Sequence, residues 1–171
     1  SNFQFTGGNG NDLLLNLGHG ADQFTFNAGE GDDVFENRGR SGGTLRMIGG
    51  AGDDAFYQNA GFASDIELDG GDGDDTVLNF SSNMGRVALI GGVGNDILQN
   101  SGNDIGSLDL IGGAGKNTLQ NFGHHIATIR MTGTGVFAGA FDTLLNSGSD
   151  IGLIDVDSNV TTTVISSGND I

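Results

Sequence analysis

Cysteine is missing from the chain, which removes disulfides and thiolate metal sites as ways of holding a fold together and is compatible with export. Proline and tryptophan are missing too, tyrosine occurs once, and glycine takes 33 of 171 positions, a balance that argues against ordinary globular packing. Basic residues are scarce. Six Lys and Arg face 22 Asp and Glu, so the net charge is −16; a nucleic-acid backbone or an anionic membrane surface is repelled, and cations are the expected partners. No run of residues approaches the ~20 apolar positions of a bilayer span, and no basic-apolar leader opens the chain, so no membrane insertion is expected. Against these absences, 36% of the residues are apolar, too many for a flexible linker. Glycine at this frequency then predicts regular tight turns that need positive φ.

Internal repetition organises what is present. A Gly-Gly pair, or its variant Ala28-Gly29, recurs at 7, 28, 49, 70, 91 and 112, every interval being 21 residues. With Gly7 counted as position 1, position 18 reads Phe3, Phe24, Leu45, Ile66, Val87, Leu108, Ile129 and, after an insertion, Ile154. Position 20 reads Phe5, Phe26, Met47, Leu68, Leu89, Leu110, Met131 and Val156, while position 19 between them is mostly polar, with Gln4, Thr25, Arg46, Glu67, Ala88, Asp109, Arg130 and Asp155. This alternation predicts a half-buried strand over positions 17 to 20. A second, shorter strand is predicted at positions 7 to 9, centred on Leu14, Phe35, Phe56, Val77, Leu98, Leu119, Leu144 and Val164.

A unit this short cannot bury its own apolar side chains, so neighbouring units must stack and pair their strands in parallel. The expected fold is all-β, a right-handed parallel β-solenoid (β-roll or β-helix) of about eight 21-residue coils, ~38 Å long. Two columns support the stacking. Position 10 is Asn16, Asn37, Gln58, Asn79, Asn100, Asn121 and Asn146, where each amide can bond its equivalent one coil away. Position 15 is small (Ala21, Gly42, Ala63) in the Phe-rich coils and large (Ile105, Ile126, Ile151, Ile171) elsewhere, which predicts constant core volume along the axis. The chain reads as one segment, 1–171, with regular coils over 1–111 and degenerate ones over 112–171, an insertion at Val136 to Gly139, and Thr161 to Thr163 where the last glycine turn belongs. Uncapped coils at both ends predict an excised piece, with neighbouring coils of a parent protein, or end-to-end self-association, as partners.

Positions 1 to 6 form the turn that carries chemistry. They read Gly7-Gly8-Asn-Gly10-Asn-Asp12, Ala28-Gly29-Glu-Gly31-Asp-Asp33, Gly49-Gly50-Ala-Gly52-Asp-Asp54, Gly70-Gly71-Asp-Gly73-Asp-Asp75 and Gly91-Gly92-Val-Gly94-Asn-Asp96. Stacking places Asp12, Asp33, Asp54, Asp75 and Asp96 in a column with ~4.8 Å between neighbours, an unfavourable ladder unless a cation compensates it. Carboxylates and turn carbonyls are hard oxygen donors that suit calcium, whereas magnesium prefers a tighter, water-rich octahedron. At Lys116-Asn117 the ladder breaks, and Lys116 is expected to cap it electrostatically; Asp142 keeps the aspartate register without its glycine turn. The five turns resemble the nonapeptide G-G-x-G-x-D-x-U-x of the RTX (repeats-in-toxin) family. That resemblance implies Ca2+ held between coils, about four to five ions, by the five Asp and by the turn carbonyls around Gly8, Gly10, Gly29, Gly31, Gly50, Gly52, Gly71, Gly73, Gly92 and Gly94. It also implies a secreted or cell-surface bacterial protein that folds on meeting calcium after export. One departure stands out. RTX coils carry two nonapeptides, but here a nine-residue unit alternates with a twelve-residue one, so metal is expected on one side only. On the other turn Asp22, Asp65, Asp104 and Asp150 fall at differing positions and are expected to be solvated.

Parallel β-helices can be enzymes, so fold alone does not exclude catalysis and the residues must decide. Tyr57 stands alone, and His19 lies five coils, ~24 Å, from His124 and His125, which gives no triad or shared zinc site. Arg38, Arg40 and Arg46 could grip a uronate but read as exposed turn charges. No catalytic residue is assigned, and the chain is expected not to be an enzyme. Positions 3 and 5 are too irregular for an ice-binding array. The expected role is a calcium-dependent spacer or surface-fibre segment. The alternatives are a polysaccharide-binding or polysaccharide-processing module, for which Tyr57, Phe80 and Phe122 are the available aromatics, and a self-assembling surface-layer or filament unit.

Overall fold

The structure, a computed structural model, describes residues 2–59, 64–133, 142–158 and 162–166, without the side chains of 41, 142, 158 and 162–166. The chain alternates long and short strands: β1 (Asn2–Asn9), β2 (Leu13–Asn16), β3 (His19–Glu30), β4 (Val34–Asn37), β5 (Arg40–Ala51), β6 (Ala55–Gln58), β7 (Asp65–Asp72), β8 (Thr76–Asn79), β9 (Met84–Val93), β10 (Ile97–Asn100), β11 (Ile105–Ala114), β12 (Thr118–Asn121), β13 (Ile126–Gly133), β14 (Asp142–Asn146), β15 (Ile154–Ser158) and β16 (Thr162–Ser166). Odd-numbered strands form one eight-stranded parallel sheet and even-numbered strands the other. Partners lie 21 residues apart, as in Phe3↔Phe24 and Leu98↔Leu119, rising to 25 across the insertion at Ile129↔Ile154. The protein is therefore an all-β parallel solenoid, ~34 Å from first strand to last at ordinary strand spacing. Among the described residues there is no helix, and so none able to cross a membrane.

Strand alternation places the core where the periodicity predicts it. Positions 8, 18 and 20 are buried through the interior coils, including Phe26, Phe35, Phe56, Leu68, Leu89, Leu98, Leu110 and Leu119. Phe24, Phe26 and Phe35 pack ring to ring, with centroids 5.8 Å and 5.2 Å apart. In the first coil Phe3 and Phe5, and in the last Val156, occupy the same positions but are exposed, because each has a neighbouring coil on one side only. The long strands exceed the predicted span: they run through the glycine pair to position 3, and β3 and β5 begin as early as position 13.

Position 15 follows the volume prediction only in part. Met84, Ile105, Ile126 and Ile151 are buried there. Ala21 and Gly42 are not, because the register of β3 against β5 slips on both sides of Ala21, which pairs with Ser41. A half-open pocket of about 290 Å³, lined by Phe3, Ala21, Phe24 and Arg40 among others, lies beside Ala21. Ala63, Ile171 and the insertion at Val136 to Gly139 lie outside the described residues. Thr162 and Thr163 belong to β16, pairing with Asp142 and Thr143, so they are strand residues rather than turn residues, and Thr161 lies outside the described residues.

The amide column forms as expected over most of its length. Asn16 Nδ2 donates to Asn37 Oδ1 (2.8 Å), Asn37 to Gln58 (2.9 Å), Asn79 to Asn100 (2.7 Å), Asn100 to Asn121 (2.8 Å) and Asn121 to Asn146 (2.8 Å). Gln58 carries an extra methylene and donates instead to Ser81 Oγ (3.1 Å). The Oδ1 of Asn16, Asn37, Asn79, Asn100 and Asn121 also accepts the backbone N–H two residues on, as in Gly39 to Asn37 (3.1 Å), so the column fixes the corner after these short strands as well as the stacking.

Candidate metal-binding column

The six-residue turn links each long strand to the following short strand, and its geometry depends on glycine at two points. At position 2 the backbone has φ between 85° and 137°, and at position 4 between 107° and 148°, conformations that L side chains rarely adopt. Space matters as well as φ. A Cβ on Gly71 would run into the Gly50 carbonyl one coil back, and one on Gly73 into the Gly52 carbonyl.

In the second to fifth coils every N–H around the turn's apex has a partner in an adjacent coil. Position 4 donates to the position-3 carbonyl of the next coil, as in Gly52 to Asp72 (2.8 Å), and position 7 to the position-6 carbonyl of the preceding one, as in Thr76 to Asp54 (2.8 Å). Position 5 donates to the position-5 side chain of the preceding coil: Asp32 to Asn11 (3.0 Å), Asp53 to Asp32 (3.0 Å), Asp74 to Asp53 (2.8 Å), Asn95 to Asp74 (2.7 Å) and Lys116 to Asn95 (3.1 Å). Position 6 donates to the carboxylate of the next coil: Asp12 to Asp33 (2.6 Å), Asp33 to Asp54 (2.8 Å), Asp54 to Asp75 (2.8 Å), Asp75 to Asp96 (3.0 Å) and Asp96 to Asn117 (2.9 Å). The donors are used up.

Acceptors are left over. Asp33, Asp54, Asp75 and Asp96 are buried, each at 2% exposure or less, and the Oδ2 of each has no hydrogen-bond partner. A buried acceptor without a donor is unfavourable, and an ionised one more so. Burial, with the neighbouring carboxylates adding to it, pushes Asp54 up from 3.8 to about 6, Asp75 to about 7 and Asp96 to about 6, although the N–H bond each receives works in the other direction. Asp12, in the first coil, is only half-buried.

Oδ2 faces position 1 of its own turn. A Cβ on Gly49, Gly70 or Gly91 would collide with Oδ2 of Asp54, Asp75 or Asp96, and one on Gly49 or Gly91 also meets the position-1 carbonyl of the next coil, Gly70 or Gly112. Carboxylate and carbonyl oxygens thus converge over the bare face of the glycine. Coil six supplies an internal comparison, because Asn117 replaces the aspartate there. Its Oδ1 makes the same ladder bond, while Nδ2 takes the place of Oδ2 over Gly112 and donates to the Gly113 carbonyl (3.3 Å). The spot is acceptor-lined and suits something positive: an amide N–H in coil six, a cation in the coils before it. Protonating Oδ2 would cancel its charge, but that single donor could serve one turn and not bridge two.

The residues fit calcium of the kind the sequence predicts. The donors available to it would be the aspartate carboxylates and the backbone carbonyls of positions 1 and 2, all hard oxygens. The position-2 glycines Gly8, Gly29, Gly50, Gly71 and Gly92 are the counterparts of Gly113, whose carbonyl meets Asn117. The position-4 glycines Gly31, Gly52, Gly73 and Gly94 each lie against the position-4 residue one coil earlier, so their structural task is close stacking. Among the described residues no three His, Cys, Asp or Glu side chains converge as a metal cluster, so backbone carbonyls must complete any shell. Lys116 is exposed and ends the outer, position-5 row; Asn117 ends the buried one.

The opposite turn is more ordered than the sequence indicates. Position 14 adopts left-handed backbone in Asn83, Asp104, His125 and Asp150 (φ 54° to 63°). Asp104 and Asp150 thus share one position, and His125 lies between them, Nδ1 3.4 Å from Asp104 and Nε2 3.1 Å from Asp150. Position 13 forms a ladder in which Asn103 N–H donates to Ser82, His124 to Asn103 and Ser149 to His124 Nδ1 (2.9, 2.8 and 2.9 Å). The four-residue insertion hides this register from a search at a fixed 21-residue interval; allowing for it reveals the column. Arg38 pairs with Glu36 (2.6 Å) and Arg46 with Glu67 (2.8 Å), so the suggested arginine group is divided between separate ion pairs.

Comparison with protein-family models, curated proteins and solved structures yields no match to this chain.

Proposed function

We propose that the chain is a calcium-set structural segment in which ions held between successive turns lock the coils into a rod. The observation that carries this reading is the buried row of partnerless Oδ2 atoms, ending where Asn117 supplies its own donor. About four to five Ca2+ ions joining Asp12, Asp33, Asp54, Asp75, Asp96 and the position-1 and position-2 carbonyls would supply the missing positive charge. The spacing of these turns supports kinship with RTX repeats, and the crossovers are taken as right-handed, the usual sense for parallel strands. Such a segment serves as a spacer or surface-fibre element of a secreted or cell-surface bacterial protein, folding when it meets external calcium. The role is non-catalytic. His19 Nδ1 accepts the Arg40 N–H at one end of the rod, and His124 and His125 are engaged in the second-turn ladders at the other.

Asp75→Asn tests the reading, because it copies the coil-six arrangement into the middle of the column. In chelator the variant should melt higher than the parent by ~2–10 °C, from removal of an uncompensated buried charge worth ~1–3 kcal/mol. In calcium the order should reverse, and calorimetric titration should find fewer ions bound. Equal calcium binding by variant and parent would remove the column from consideration as the metal site.

A further inference from the structure

The outward faces of the two sheets differ sharply. On the long-strand sheet the outward positions carry Arg46, Asp65, Glu67, Asp69, Arg86, Asp109, Arg130 and Asp155, with ion pairs at Arg46–Glu67 and Arg86–Asp109. On the short-strand sheet the outward positions 7 and 9, with position 11 at the corner, carry two charged side chains among the described residues, Glu36 and Arg38. These two neutralise each other at 2.6 Å. The rest of that face is aliphatic, aromatic or uncharged polar. Leu13, Leu15, Val34, Phe80, Ile97 and Phe122 are all exposed on it, Leu13 at 77% and Ile97 at 44%.

We propose that this face is an interface for a second copy of the chain, packed sheet against sheet. Charge selects the face. Two bodies of −16 each repel over most of their surfaces, and the short-strand sheet is the long side on which they can approach without opposing carboxylates. Shape permits the approach, since parallel strands in unbroken register from β2 to β14 give a regular surface. Area sets the strength. Seven strands at ~4.8 Å and about five residues at ~3.3 Å offer roughly 550 Å² per copy, or ~1,100 Å² in total, close to the ~1,000 Å² that a specific interface needs and below the ~1,600 Å² of a tight one. The dimer is therefore weak and concentration-dependent. The surrounding charge repels an acidic polymer or an anionic membrane as it repels a second copy, but the copy alone brings a matching uncharged, apolar face to the contact.

Sedimentation velocity of the full chain, from micromolar to near-millimolar concentration and with calcium or chelator, tests the proposal. A monomer–dimer equilibrium is expected that strengthens with added salt, because screening weakens the repulsion between copies while the contact itself is apolar. Ile97→Glu, at an exposed position, should weaken association at least tenfold with an unchanged melting temperature. Thr25→Glu on the opposite sheet should leave association as it is. Monomer at every concentration overturns the proposal, including the case in which a neutral oligosaccharide or a detergent micelle binds the face instead. Association indifferent to Ile97→Glu also overturns it, and assigns contact to the ends of the rod.

Discussion

Removal of metal should invert the way stability depends on pH. In the metal-free protein Asp54, Asp75 and Asp96 titrate at about 6, 7 and 6, against 3.8 for a carboxyl in the unfolded chain. Between these limits the folded state holds more protons than the unfolded one, so stability falls as pH rises from about 4 to about 7 and levels off above. Each tenfold displacement of a proton equilibrium is ~1.4 kcal/mol, and discounting for solvent at the edge of the turn leaves a loss on the order of 5 kcal/mol for the three groups together. For a chain of this size that is ~10–20 °C in Tm. Saturating calcium should reverse the slope, because the metal binds the ionised carboxylates and competes with protons for them. Thermal melts followed by circular dichroism from pH 5 to pH 8, in chelator and in calcium, provide the measurement. A metal-free Tm that is flat or rises over that range, or a Tm at pH 8 that calcium leaves alone, would refute the reasoning.

Three further outcomes follow from the same geometry. Asp54→Ala should lower the calcium-loaded Tm more than Asp142→Ala, because Asp54 serves the turns on both sides and Asp142 lies beyond Asn117; parallel melts of the two variants decide this. Gly71→Ala should destabilise by at least ~1–3 kcal/mol with or without calcium, since φ is +116° and the added methyl meets the Gly50 carbonyl, and denaturant titration would register it. Asn100→Ala removes the donor to Asn121 and the acceptor for Asn79 at a site with no exposure, so a loss of ~2–4 kcal/mol independent of metal is expected in the same titration.

The stacked architecture was legible because one interval governs everything that packs. An apolar side chain at position 8, 18 or 20 must meet its own equivalent in the next coil, so periodicity in sequence becomes a column in space, and Leu68, Leu89 and Leu110 are buried for that reason. The aspartate column followed from the same interval. Two things were not legible. The extension of the long strands through Gly49-Gly50 and its equivalents depends on backbone pairing, which glycine's low strand preference conceals. The Asp104–His125–Asp150 stack depends on knowing that the pairing interval rises from 21 to 25 between β13 and β15, since only then do Asp104 and Asp150 share a position.

The turn also explains what calcium would contribute to this fold on the proposed reading. Where the strands run, backbone N–H groups bond backbone carbonyls of the neighbouring coils, but at positions 5 and 6 the chain bends away from strand geometry and side chains take over as their acceptors. The position-5 row points forward along the axis and the position-6 row points back, so each turn is tied to both neighbours and every N–H is used. The side chains that serve this purpose at position 6 are carboxylates or an amide, each with a second oxygen or a nitrogen left over. Asparagine, as at Asn117, closes the account locally and binds nothing. Aspartate leaves one oxygen over per coil, and repeated in register those oxygens make a negative row whose repulsion grows with each coil added. A dication between coils would convert that repulsion into attraction at every step, so on the proposed reading the cohesion of the aspartate coils should depend on calcium in proportion to their number, while the coils from Asn117 onward should hold together without it.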